Sequence, residues 1–183
     1  YAGLLARVRH LAAGLTASGI GADDALGVTG LPVLETALLV HGAARVGCAL
    51  VPVDPSRPAQ WRTALWLESG VGQAVSSAAE LRALESASDG PAAGAAIQAS
   101  PDAVHLIVAT SGSGGEPKGA MLTGRNLAAS VRACRERLGL QADDRWLLCL
   151  PAYHLGGLAV LYRCVHAGAC VVLHERFEAH RVW

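Results

Sequence analysis

The sequence has 183 residues, of which 52% are hydrophobic and 16% charged, with a formal net charge of zero. That balance excludes a disordered charged tail and a nucleic-acid binder held by a basic face, and the length allows one domain with a sizeable core or two small ones. The most apolar stretch, Leu34–Val53, is interrupted by Glu35, His41 and Arg45, so no run reaches the roughly 20 residues of a bilayer span.

In chain order, Leu4, Val8, Leu11 and Leu15 recur at helical spacing and Gly19 supplies a stop. Ala25–Gly30 reads as a short strand ending in a turn. Pro32 suits the first position of the next helix, which runs to Gly47. Ala49–Asp54 is a strand, the segment from Pro58 to about Glu68 a helix, and Gly72–Ser76 a weaker strand. Ser86–Asp102 is small, polar and turn-forming, and is expected to be a connecting loop. Strand Val104–Thr110 then leads into a glycine-rich loop and a helix with Thr123 as N-cap and Leu127, Val131, Cys134 and Leu138 as its apolar stripe. Strand Arg145–Leu150, a helix from about Gly156 to His166 and strand Ala169–His174 complete the pattern. Alternating helices and strands predict an α/β fold, a mostly parallel sheet flanked by helices.

The loop holds the chain's only lysine, Lys118. Glycines let backbone N–H groups turn inward to form an anion-binding concavity. Thr110, Ser111 and Ser113 add hydroxyl donors, and Lys118 adds a point charge suited to phosphate. Two phosphate-binding patterns fail. A Walker A loop counted from Gly112 needs glycine where Pro117 stands and Ser or Thr where Gly119 stands. The dinucleotide pattern beginning Gly112-Ser113-Gly114 also ends on Pro117.

The whole stretch Thr110-Ser111-Gly112-Ser113-Gly114-Gly115-Glu116-Pro117-Lys118-Gly119 resembles the phosphate loop of the AMP-forming acid ligases, the acyl- and aryl-CoA synthetase superfamily. Gly114 stands where that family usually has threonine, which implies weakened phosphate binding, by about 1–3 kcal/mol. A second stretch, Leu150-Pro151-Ala152-Tyr153-His154 with Gly157, is similar to the family's aromatic–histidine segment beside the acyl pocket. A strand ending there would place both rings at the carboxyl edge of the sheet, where ligands of open α/β sheets bind, and Gly156 and Gly157 would let a substrate approach the backbone. With Gly168–Glu178, this stretch resembles the o-succinylbenzoate–CoA ligases of menaquinone biosynthesis. In that branch a basic residue nine places after the histidine, here Arg163, can meet a substrate carboxylate. His154 alone would read as a capping or surface histidine, and the loop upstream reverses that. For Arg163 a solvated arginine and an acid-binding one remain equal alternatives.

The resemblance implies a two-step ligase. A carboxylate attacks the α-phosphate of Mg²⁺-bound ATP to give an acyl-adenylate, and the CoA thiol then displaces AMP. Thr110, Ser111, Gly112, Ser113, Gly114, Gly115 and Lys118 would hold phosphates. Tyr153, His154, Gly157 and Arg163 would face the acid, with His154 in the catalytic role. Residues 1–183 are expected to be part of the large N-terminal AMP-binding domain, unable to form adenylate alone. The sequence opens without methionine inside a helical pattern and closes where another helix begins. Alternatives are a fatty or aryl acid–CoA ligase of the same superfamily and a non-catalytic nucleotide- or acyl-binding module.

Five cysteines without a C-x-x-C pair, and no visible targeting segment, suggest a reducing cytoplasm. Cys164, His166, Cys170 and His174 have zinc-type identities, but a strand and a helix end separate them, so no metal site is expected from them. Neither a nucleic-acid partner nor a membrane span is expected, and self-association is left open.

Overall fold

The computed structural model describes residues 1–87, 100–110 and 117–182. Helix α1 (Ala2–Ala17) buries Val8, Leu11 and Leu15, three of its four predicted stripe residues. Strand β1 (Ala25–Thr29) leads to α2 (Val33–Val46), whose first residue follows Pro32, so the proline occupies the N-cap and not the first helical position. Gly47 ends α2 in the left-handed region at φ 87°, a conformation that glycine adopts without steric cost. Strand β2 (Ala49–Val53) is buried at all five positions, as expected of a continuous apolar run inside a parallel sheet. Helix α3 (Ala59–Glu68), strand β3 (Val71–Val75) and helix α4 (Ala78–Ser86) follow.

Helix α4 is absent from the sequence expectation. The Ser77 side chain accepts the Glu80 N–H while Glu80 accepts the Ser76 N–H at 2.6 Å. This Ser-x-x-Glu arrangement satisfies donors that a helix start otherwise leaves open. Most of the predicted loop Ser86–Asp102 lies outside the described residues. Strand β4 (Val104–Thr110) forms as expected, but a further strand, β5 (Lys118–Thr123), separates the glycine loop from helix α5 (Gly124–Leu138). Thr123 does cap α5, in a box closed by Asn126. Strand β6 (Arg145–Leu148), helix α6 (Leu155–Ala167), strand β7 (Cys170–Leu173) and a last turn, α7 (Ala179–Val182), complete the chain.

The strands form two sheets. The larger has the order β3-β1-β2-β4-β5, parallel except for β5, which pairs antiparallel with β4. The smaller is a parallel pair, β6 and β7. The two share one hydrophobic core, in which Leu11, Leu38, Leu39, Leu50 and Leu106 join Leu148, Leu158 and Leu161. A second cluster, Val51, Val53, Leu65 and Ile107 with Trp61 and Trp66 against it, seats α3 on the larger sheet. The carboxyl ends of β1, β2 and β4 therefore share one edge. Among the described residues no helix is long and apolar enough to cross a membrane.

Candidate active site

The phosphate end is framed by a strand pair. Thr110 closes β4 and stands opposite Lys118, which opens β5, and the Thr110 hydroxyl donates to the Lys118 carbonyl at 3.3 Å. Both side chains are exposed at the sheet edge. Lys118 thus sits on a paired strand instead of a helix start, its position fixed by the β4–β5 ladder. Ser111, Gly112, Ser113, Gly114 and Gly115 lie outside the described residues. At the next position a Cβ on Gly119 would lie 2.5 Å from Ile107 Cγ2, so this glycine serves the close packing of β5.

The acid end begins where β6 stops at Leu148. The chain turns through Leu150–His154, with the His154 N–H donating to the Pro151 carbonyl at 3.1 Å, and His154 becomes the N-cap of α6. The Tyr153 and His154 rings lie 4.7 Å apart between centroids, tilted by 58°. Gly157 is buried, and a Cβ there would meet the Pro151 carbonyl oxygen at 2.5 Å. The space this glycine leaves free is taken by the chain's own backbone, which draws α6 onto the turn and fixes the two rings.

Asp54, directly after β2, belongs to the same neighbourhood and was not singled out in the sequence. Burial pushes its carboxyl group up, but hydrogen bonds from Ser56 and the charges of His154 and Arg57 outweigh this and hold it below the usual range. Burial, and then the Asp54 charge, raise the Tyr153 hydroxyl. Asp54 is thus electrostatically coupled to both rings. The only sequence signal was its place at the carboxyl end of a buried strand.

Two clefts flank this turn. One, of about 310 Å³, lies over the ends of β1 and β2 and is lined by Thr29, Val53, Tyr153 and Glu175 among others. Glu175 accepts the Val33 N–H at 3.1–3.2 Å and so caps α2. The other, of about 340 Å³, opens between β5, α5 and α6. Its walls are apolar, formed by Leu122, Leu127, Val131 and Ala159, and its polar groups include Asn126, Ser130 and Arg163. The Arg163 guanidinium lies over the Trp146 ring at 5.7 Å, with Nε buried and without a hydrogen-bond partner among the described residues. Tyr153, His154 and Gly157 are therefore brought together at the start of α6. Arg163, nine residues beyond His154, lies roughly 14 Å along the helix axis and lines the second cleft.

The entire chain, residues 1–183, matches the family described as AMP-binding enzyme. It is 44% identical over 86 residues to the 2-succinylbenzoate–CoA ligase of Bacillus licheniformis, an alignment covering 44% of this chain and 18% of the relative. The o-succinylbenzoate CoA synthetase of Bacillus subtilis, solved with the acyl-adenylate intermediate OSB-AMP, superposes with a TM-score of 0.86 at 27% identity. That match covers 99% of this chain and 51% of the other. The same enzyme solved with ATP and magnesium gives a TM-score of 0.82 at 28% identity, covering 99% and 52%. The chain thus spans about half the length of these solved neighbours.

Proposed function

The chain belongs to the AMP-binding enzyme family, and from that premise we propose that it serves the ATP-dependent activation of a carboxylic acid as an acyl-adenylate, followed by transfer to the thiol of CoA. Residues 1–183 are part of the large N-terminal AMP-binding domain and do not complete adenylation by themselves. The acid we favour is o-succinylbenzoate, in line with the names of the similar proteins. A reaction that consumes ATP and CoA fits a cytoplasmic setting.

The carrying observation is the Thr110–Lys118 pair, which holds both ends of the glycine loop at the carboxyl edge of the sheet. A carboxylate is a poor acylating agent, and adenylation gives it a good leaving group. Charge then builds on the departing pyrophosphate and must be met by fixed donors. We assign the β- and γ-phosphates to the Lys118 ammonium and to Ser111 through Gly115, with the Thr110 hydroxyl joining them by exchanging its bond to the Lys118 carbonyl for one to phosphate. Magnesium accompanies ATP in the solved neighbour, and no side chain of this chain is assigned to it. His154, exposed beside Tyr153, faces the reacting carboxylate. Arg163 faces a second carboxylate, since a helical side chain reaches back toward the helix start, and the apolar walls of its cleft suit the ring between.

Titration of the intact protein with Mg²⁺ and ATP is expected to shift the amide signals of Thr110, Lys118 and the loop glycines. Lys118→Ala should weaken ATP binding by about 10- to 100-fold, the scale of a lost charge-assisted bond, without changing the thermal midpoint. Unmoved loop signals, or unchanged affinity in the variant, would overturn the assignment.

A further inference from the structure

Among the described residues that line the cleft between β5, α5 and α6, Arg163 carries the only charge. It is half-buried and forms no salt bridge among the described residues. Its Nε is sealed from solvent and meets no acceptor among them. A buried donor on a charged group is costly to leave open. What lies against this one is an aromatic face. The guanidinium carbon stands 5.7 Å from the centroid of the Trp146 ring, inside the roughly 6 Å at which tryptophan, the strongest of the aromatic partners, attracts a cation.

Trp146 is itself anchored. It is half-buried, packs against the main core and pairs with Val171 in the β6–β7 ladder. It stands outside the residues that line the cleft, so its part is to support Arg163 and not to touch a ligand.

A free arginine side chain has many rotamers, and ordering it on binding costs affinity. Resting on a ring held in a sheet, Arg163 meets a ligand already ordered. With Nε sealed, the two Nη groups remain as donors, and they form a planar fork suited to a carboxylate. We infer that Trp146 is a positioning residue for Arg163: it fixes the fork relative to His154, at the start of the same helix, so that the cleft selects acids by the separation of their two carboxylates. This role for Trp146 rests on the ligase function proposed above and on Arg163 as the residue that meets the second carboxylate.

The test is calorimetric binding of three acids to the intact protein: o-succinylbenzoate, its meta isomer with the carboxylates at another separation, and benzoylpropanoate, which lacks the ring carboxylate. The parent should prefer the ortho diacid to either of the others by about tenfold or more, the scale of a charge-assisted bond. Trp146→Leu keeps apolar bulk without the ring face, and should cut both preferences below about threefold while leaving benzoylpropanoate within about twofold. Trp146→Phe, which restores a ring, should recover most of the preference, and Arg163→Ala should abolish the preference for two carboxylates. The Arg163 Nε–H signal should exchange slowly with solvent in the parent and fast in Trp146→Leu, with circular dichroism confirming that each variant is folded. Preferences unchanged in Trp146→Leu, or all three acids weakened alike, overturn the positioning role. If Mg²⁺ and ATP shift the loop signals but the parent shows no ortho preference, the positioning role falls and the ligase proposal stands. A preference that depends on Trp146 in a protein that never binds ATP would support the positioning of Arg163 and sink the ligase proposal.

Discussion

The two sheets are built from similar sequence and covered very differently. β2 reads Ala-Leu-Val-Pro-Val and is buried at every position, whereas β7 reads Cys-Val-Val-Leu and is only half-buried throughout. β1 is buried at its three central positions, while β6 is fully buried only at Leu148. An apolar run thus announces a strand without saying how many of its faces are sealed. The larger sheet is packed by the core with α1 and α2 and by the cluster under α3. The smaller sheet carries the Trp146 ring on which Arg163 rests. Rigid support therefore lies under the phosphate end, and the acid end is more lightly held.

The largest expected effect exploits that contrast. Leu50→Ala removes a side chain that is 1% exposed at the centre of the larger sheet, and should cost about 2–5 kcal/mol by chemical denaturation. Val171→Ala, on half-buried β7, should cost about 1 kcal/mol or less. Equal losses would mean that the two sheets are equally sealed.

The same contrast explains what the sequence disclosed. β2 was legible because a doubly covered strand is apolar from end to end, and β1 and β4 were legible from their buried apolar centres. β5 was not, because Lys118-Gly119-Ala120-Met121-Leu122-Thr123 has no clear period and becomes a strand only by pairing with β4. α4 was legible in principle from Ser77 and Glu80, a capping signal outweighed by the polar stretch after it. At the candidate site, Lys118, Tyr153 and His154 stood out because their neighbours form long patterns. Asp54 did not, since one carboxylate after a strand carries no pattern until the fold brings Tyr153 and His154 within range of its charge. The support of Arg163 by Trp146, and the placing of Asn126 and Ser130 in the same cleft, depend on packing between elements distant in sequence.

A middle-sized effect probes the joint between the two regions. Glu175, just after β7, accepts the first N–H of α2 and so ties the smaller sheet to a helix of the larger one. Glu175→Ala should destabilise by about 1 kcal/mol, the scale of a lost N-cap. Glu175→Gln, which keeps an acceptor, should recover most of it. If the alanine variant is as stable as the parent in thermal unfolding, Glu175 does not couple the regions.

The smallest effect lies at the same joint and depends on pH. His41 of α2 meets Tyr162 of α6 edge-on, with ring centroids 6.5 Å apart, and burial lowers its pKa below the ordinary value. The folded state therefore favours neutral imidazole. Between the folded value and about 6.5 the unfolded chain binds more protons than the folded one. Stability should be complete above that upper limit and decline as pH falls through the window, by at most about 1.4 kcal/mol per pH unit from one group. His105 of β4 is lowered by burial in the same direction, so both the joint and the larger sheet contribute to the slope. Denaturation midpoints between pH 7.5 and 5.5, measured for the parent and for a phenylalanine variant at each histidine, separate them. His41→Phe and His105→Phe should each flatten the curve, because each removes one imidazole whose pKa burial lowers. A curve left unchanged by His41→Phe and flattened by His105→Phe would place the acid-sensitive contact inside the larger sheet, with the joint between α2 and α6 insensitive to proton binding.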